Sequence, residues 1–168
     1  GYDMGKSLQD KDRFNLAREL KERAKKIGSR IILPVDFMAS DAFSEKAQTK
    51  VLTAEEFSDP WMALDIGPKT IELYVETLKK MKTVVWNGPM GVFEMKPFAK
   101  GTHAIANAVA NLDATTVVGG GESAAVVDQM GIGDKFSHVS TGGGASLEML
   151  EGMILPGVTI LSDKEEIH

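Results

Sequence analysis

The chain lacks cysteine entirely among its 168 residues. It therefore forms no disulfide, offers no thiolate to zinc and has no thiol nucleophile. Positive charge is also in short supply, because 19 Lys and Arg residues face 24 Asp and Glu residues, giving a formal net charge of -5. Such a chain has no general attraction for nucleic acid or an anionic membrane. Any anionic ligand has to be held by local groups.

Long apolar runs are missing as well. No segment approaches the length of about 20 residues that a transmembrane helix needs, and the first residues lack the apolar core of a secretion signal. Low-complexity tracts and internal repeats are also missing. We expect a soluble, cytoplasmic protein with no nucleic-acid partner and no membrane partner. Because the chain begins with glycine, we also expect it to be a piece of a longer protein.

Apolar residues, at 43% of the chain, suffice for a buried core, and the length favours one domain. Their spacing predicts alternating helices and strands. Helices are predicted over Asp10–Ile27, Ile71–Met81, Phe98–Val109, Ala124–Met130 and Ala145–Leu150, and strands over Arg30–Val35, Thr49–Thr53, Thr83–Trp86, Thr115–Val118 and Ser137–Ser140. Apolar strands that alternate with helices predict an α/β fold, with a parallel sheet covered by helices on both faces in a Rossmann-like three-layer sandwich.

Glycine is abundant, with 17 residues, and it clusters directly after three predicted strands. The clusters are Asn87–Gly91, Gly119–Gly121 and Thr141–Gly144. In a parallel sheet the carboxyl ends of the strands share one edge, where ligands bind. A single glycine cluster is equally compatible with a flexible hinge or a tight turn that binds nothing. Three clusters on one edge favour a phosphate site, because N–H groups at helix N-termini attract anions.

Glu122 lies in the first turn of the helix predicted after Gly119–Gly121. Two interpretations of this acid remain open. It gains about 0.3–1 kcal/mol from the helix dipole and does nothing more, or it holds Mg²⁺ beside a bound phosphate. Neither Gly1–Ser7 nor Gly119–Ala124 has the glycine spacing of a P-loop or of the dinucleotide fingerprint.

Five segments together resemble the successive signatures of the phosphoglycerate kinase family, in that family's order and at about its spacing. They are Leu33–Asp36, Leu64–Pro68, Val84–Glu94, Gly119–Gly121 and Ser140–Glu148. The resemblance runs from end to end of the chain. It implies that residues 1–168 form part of the C-terminal, nucleotide-binding domain, and that the N-terminal substrate domain is absent from this chain.

The resemblance further implies a glycolytic phosphotransferase that uses Mg²⁺. Such an enzyme moves a phosphoryl group between 1,3-bisphosphoglycerate and ADP, giving 3-phosphoglycerate and ATP. The phosphoglycerate would bind through the missing N-terminal domain, and we expect the parent enzyme to be a monomer. We expect the isolated segment to be inactive. The alternative is a nucleotide-binding module without chemistry of its own. A dinucleotide-dependent oxidoreductase is disfavoured because the G-x-G-x-x-G fingerprint is missing, as is an acidic residue placed after it to bind a ribose.

The same resemblance implies roles for individual residues of the nucleotide site. Asn87 would contact the nucleotide phosphates, Pro89 would lie against the nucleoside, and Glu94 would accept hydrogen bonds from the ribose hydroxyls. The phosphate and metal edge would consist of Gly120, Gly121, Glu122, Ser123 and Ala124, with Glu122 as the metal ligand.

The resemblance also implies a catalytic role for Gly142, Gly143 and Gly144, whose helix N–H groups would face the phosphoryl group in transit. A side chain there would occupy the space of that group. Two positions depart from the family's pattern. Glu122 replaces the usual aspartate at the metal, and Ala63 replaces the usual glycine beside the adenine.

Overall fold

The structure is a computed structural model and describes residues 2–161. Gly1 and residues 162–168, the two ends of the expected 1–168 domain, lie outside the described part. The chain divides into two compact units, although its length alone favours one domain. The described part of the first unit comprises residues 2–76 and 90–105, and that of the second comprises residues 77–89 and 106–161.

The first unit contains a three-stranded antiparallel sheet, so the prediction of a parallel sheet is wrong for this unit. The connection from Asp41 to Gln48 is shorter than the dozen or so residues that a parallel crossover needs, which forces its two flanking strands to run antiparallel. The strands are β1 (Phe37–Ser40), β2 (Thr49–Leu52) and β3 (Met62–Ile66), in the order β2-β1-β3.

The first unit begins with a helix that the sequence predicts well, followed by a strand that it predicts wrongly. Helix α1 (Phe14–Lys26) ends before Gly28, whose φ of +71° provides the predicted stop. Residues Arg30–Val35 form no strand, because they pair with no other strand among residues 2–161. Strand propensity alone cannot supply a partner.

Helix α2 (Pro68–Leu78) is fastened to the first unit through Asp36. The buried carboxylate of Asp36 accepts hydrogen bonds from the backbone N–H of Lys69 at 3.0 Å and of Thr70 at 2.8 Å. The hydroxyl of Thr70 donates to the same carboxylate at 2.7 Å. The first-turn N–H groups of a helix lack partners within the helix. The aspartate of the Leu33–Asp36 segment therefore acts as a helix cap.

The second unit confirms the predicted parallel α/β arrangement. Its sheet is three-stranded and parallel, with the order β4-β5-β6, and helices flank it. The apolar runs that were predicted as strands supply its buried centre, with Val84, Trp86 and Val118 almost fully buried. The elements are β4 (Thr83–Asn87), β5 (Thr115–Gly119), α4 (Gly121–Gln129), β6 (His138–Ser140), α5 (Gly143–Leu150) and α6 (Pro156–Thr159).

The remaining helices are short, apart from α3 (Lys100–Ala110). Helices α2 and α3 each contain a boundary between the two units. The 3₁₀ helices span Lys11–Arg13, Ala54–Glu56, Lys96–Phe98 and Gly133–Lys135. Within residues 2–161, no helix has both the length and the apolar composition needed to cross a lipid bilayer.

Candidate functional site

The parallel strands of the second unit end side by side, which confirms the predicted meeting of their glycine turns. Asn87 pairs with Gly119, and Gly119 pairs with Ser140. Helices α4 and α5 begin immediately after two of these strand ends. Their N-cap residues are Gly120 and Gly142, which have no side chain to occupy the N–H groups of the first turn. Two helix N-termini at one sheet edge form a site suited to an anion.

Two of the glycines at this edge are required by the packing of the chain itself. Gly120 has a φ of +94°, and a Cβ atom on it would lie 2.6 Å from Oδ1 of Asn87. A Cβ atom on Gly143 would lie 2.6 Å from Cα and 2.8 Å from N of Gly120. The two turns therefore touch backbone to backbone. This packing reason is separate from the favoured sequence interpretation, in which the absence of side chains leaves room for a ligand.

Three further glycines in the turns that begin α4 and α5, namely Gly121, Gly142 and Gly144, have no such internal reason. A Cβ atom on Gly121 or Gly144 would meet no described atom within 4 Å, and one on Gly142 would make only ordinary contact, at 3.5 Å, with Oγ of Ser140. Gly121 and Gly144 are both exposed. At these two positions, the space that a side chain would fill is open to a ligand.

Ser123 holds the turn that carries Asn87 and Pro89. Its fully buried Oγ accepts a hydrogen bond from the N–H of Gly88 at 2.8 Å, and Nε1 of Trp86 donates to the carbonyl of Gly88 at 2.7 Å. Asn87 is exposed and Pro89 is half-buried. The hydroxyl of Ser123 thus positions the turn, and its contact with a nucleotide stays a prediction.

Glu122 is an exposed carboxylate in the first turn of α4, and Ala124 is half-buried two residues further on. Among residues 2–161, no group of three or more Asp, Glu, His or Cys residues is arranged to hold a metal ion. A lone carboxylate fits Mg²⁺ only where substrate phosphates and water complete the shell, as is usual for this ion. The dipole interpretation and the metal interpretation of Glu122 both stay open.

Ala63 and Glu94 belong to the first unit. Ala63 lies in β3, where it packs against the cluster formed by Ala39, Leu52 and Phe57. Its methyl group therefore has a place in the core of the unit. Glu94 is exposed in a turn between β4 and α3. Their roles at the adenine and the ribose stay predictions.

Sequence reasoning gave no role to Asp65, although an aspartate within the apolar segment Leu64–Pro68 is a signal for one. The residue is only 4% exposed. Burial raises the pKa of its carboxyl to about 6, against the opposing effect of hydrogen bonds from the N–H groups of Gly101 and Ile66. Thr102, fully buried in the first turn of α3, was missed in the same way.

Parallel strands that end in glycine turns, with two helix N-termini at the same edge, define an α/β protein with an edge suited to phosphate. A family model described as phosphoglycerate kinase matches residues 1–153. The chain belongs to the phosphoglycerate kinase family.

Relatives in this family are similar over nearly the whole chain. Phosphoglycerate kinase of Clostridium tetani is 52% identical over 98% of the chain, and that of a Roseiflexus species is 53% identical over 97%. The structure of phosphoglycerate kinase from Coxiella burnetii has a TM-score of 0.89 at 40% identity, covering 95% of this chain and 41% of its own. The chain spans about 41% of the length of the two curated relatives.

Proposed function

We propose that this chain supplies much of the nucleotide site of a phosphoglycerate kinase, as part of the C-terminal portion of the family. The intact enzyme, meaning this chain joined to the remainder of a family-length polypeptide, would transfer the acyl phosphate of 1,3-bisphosphoglycerate to ADP, giving ATP and 3-phosphoglycerate. One observation carries the proposal. The N-termini of α4 and α5, both capped by glycine, meet at the edge where β4 places Asn87.

Phosphoryl transfer depends mainly on positioning and on neutralising charge, because the transferred group needs little covalent help from the protein. The first-turn N–H groups of both helices would bind the phosphate oxygens. The open positions at Gly121 and Gly144 would leave room for the phosphates to approach the backbone. The mutual contact of Gly120 and Gly143 would keep the two helix N-termini at a fixed separation.

Glu122 is the residue of this edge that would hold Mg²⁺, because it is a carboxylate in the first turn of α4. The ion, when bound, neutralises charge on the phosphate oxygens. Glutamate is one methylene longer than the aspartate usual in the family. The carboxylate of Glu122 therefore lies farther from its own Cα than the carboxylate of an aspartate at this position would.

A second candidate function is a nucleotide-binding module without chemistry of its own, and the share of the relatives that this chain covers favours it for the isolated chain. Holding both reactants together supplies about 7–11 kcal/mol of the barrier in favourable cases. Residues 2–161 include an edge suited to one reactant and no identified site for a phosphoglycerate. We therefore expect the isolated chain to transfer no phosphoryl group.

Two assays test the proposal. Fluorescence titration with ADP and with NAD distinguishes a kinase site from a dinucleotide site, and we expect binding of ADP alone. A coupled assay of ATP formation should show turnover by the intact enzyme and none by residues 1–168. Preferential binding of NAD would contradict the assignment of a kinase nucleotide site. An intact enzyme that forms no ATP would contradict the proposed phosphoglycerate kinase activity. Turnover by the isolated chain would contradict the proposal that the nucleotide and the phosphoglycerate bind to different portions of the intact enzyme.

A further inference from the structure

The turn that carries Glu94 is fixed to the body of the first unit. It spans residues 90–95 and is anchored to β3 by a hydrogen bond from the N–H of Val92 to the carbonyl of Leu64, at 2.8 Å. The exposed side chain of Glu94 therefore extends from a backbone that the strand holds in place. Its position depends on that anchoring.

A second anchor comes from helix α3. The buried hydroxyl oxygen of Thr102 accepts hydrogen bonds from the N–H of Met90 at 3.0 Å and from the N–H of Gly91 at 3.3 Å. Thr102 thus acts on the start of the turn from the side of the helix, while the strand holds its middle.

Asp65 fills the space between the strand, the turn and the helix. Its carboxylate accepts hydrogen bonds from the N–H of Gly101 at 2.7 Å and from the N–H of Ile66 at 2.8 Å. A Cβ atom on Gly91 would lie 2.5 Å from Oδ1 of Asp65, and one on Gly101 would collide with the same carboxylate. The turn and the helix approach this carboxylate as closely as glycine allows.

We propose that Asp65 and Thr102 are positioning residues that fix the location of Glu94, and that they thereby set the preference for a nucleotide whose ribose carries both hydroxyls. The inference rests on the proposed function, in which Glu94 accepts hydrogen bonds from those hydroxyls. Hydrogen bonds to a carboxylate weaken steeply with distance and angle. A displacement of about 1 Å can therefore remove most of an interaction that depends on alignment.

Asp36 provides a matched control for this inference. It is also a buried aspartate of the first unit, and its carboxylate also accepts backbone N–H groups at the start of a helix. The hydrogen-bond partners of its carboxylate are Lys69 and Thr70, which belong to α2 and not to the turn at residues 90–95. Loss of the Asp36 carboxylate should destabilise the unit without moving Glu94.

The test compares the affinities for ADP and for 2′,3′-dideoxy-ADP in the intact enzyme. We expect the unsubstituted enzyme to bind ADP at least about tenfold more tightly, as loss of hydrogen bonds to a charged group implies. Thr102→Val should bring this ratio close to one, and Thr102→Ser, which keeps the hydroxyl, should restore it. Asp36→Asn should lower the melting temperature and leave the ratio unchanged.

The outcomes separate this inference from the proposed function. A folded Thr102→Val enzyme with an unchanged ratio would overturn the role of Thr102. If that variant does not fold, Asp65→Asn, which has nearly the shape of the original side chain, should lower the ratio by itself, and an unchanged ratio there would overturn the inference. If Glu94→Gln abolishes the preference while both positioning variants keep it, only the inference fails. If Glu94→Gln leaves the preference intact, the ribose assignment fails and the inference fails with it.

Discussion

Gly143 and Gly144 are neighbours at the start of α5, yet an added methyl group would meet different surroundings at each. In Gly143→Ala the new Cβ would lie 2.6 Å from Cα of Gly120, about 0.8 Å closer than the 3.4 Å at which ordinary contact begins. Overpacking of this kind costs about 1–3 kcal/mol. Replacing a helical glycine with alanine returns about 0.5–1 kcal/mol. The difference between these two effects is about 0–2.5 kcal/mol, and we expect a net loss near the middle of that range, about 1 kcal/mol, in the stability of the second unit.

Urea unfolding measures this loss when fluorescence reports the second unit alone. The chain has two tryptophans. Trp86 lies in β4 and is 5% exposed, and Trp61 belongs to the first unit. A Trp61→Phe background therefore leaves Trp86 as the reporter. Gly143→Ala should lower the unfolding free energy in this background.

Gly144→Ala is the matched control for the stability measurement, and it is also the variant that tests whether the space at this position serves the ligand. With no atom within 4 Å of its Cβ, it should keep the stability or raise it by up to about 1 kcal/mol, while slowing phosphoryl transfer by the intact enzyme. Gly157→Ala in α6, also in open space, should likewise keep the stability or raise it by up to about 1 kcal/mol, and it should leave phosphoryl transfer unchanged. Full stability in Gly143→Ala would refute the packing argument. Transfer as fast in Gly144→Ala as in Gly157→Ala would refute the assignment of that space to the ligand.

Two further predictions concern carboxylates. In the intact enzyme, Glu122→Gln should weaken Mg²⁺-dependent turnover far more than metal-free binding of ADP, and equal effects would leave Glu122 only a helix-end charge. For Asp65, burial raises the pKa from 3.8 to about 6. At pH values between these two pKa values, the folded chain therefore holds a proton that the unfolded chain has released. The stability contributed by protonated Asp65 is therefore complete below about pH 4 and is lost as the pH rises through about 6, at about 1.4 kcal/mol per pH unit and about 3 kcal/mol in all. Urea unfolding of the original chain and of Asp65→Asn should show this declining difference, and a difference that rises with pH would contradict it.

The fold was predictable where the local pattern and the tertiary pairing agree. The runs Thr83–Trp86 and Thr115–Val118 are rich in β-branched residues, and both are strands of the parallel sheet. Strands β1 and β3 were missed, because Met-Ala-Ser and Met-Ala-Leu-Asp are weak strand formers that depend on their neighbours in the sheet. Arg30–Val35 has the opposite character, with strong propensity but no pairing strand among the described residues.

The site was predictable at the level of elements and not at the level of contacts. The glycine turns could be placed on one edge because parallel strands share their carboxyl ends. The sequence could not show that Gly143 touches the backbone of Gly120, since that contact joins turns after different strands. It also could not show that the carboxylate of Asp65 lies against Gly91 and Gly101, because the fold alone brings these positions together.

The most direct test of the nucleotide site is an NMR titration of the intact enzyme, labelled with ¹⁵N-glycine, with ADP and Mg²⁺. If the first-turn N–H groups of α4 and α5 bind the phosphates, the largest amide shifts will occur at Gly121 and Gly144, with smaller shifts at Gly28 and Gly131, which lie outside the proposed edge. Saturation with ADP that leaves Gly121 and Gly144 unshifted would contradict the account.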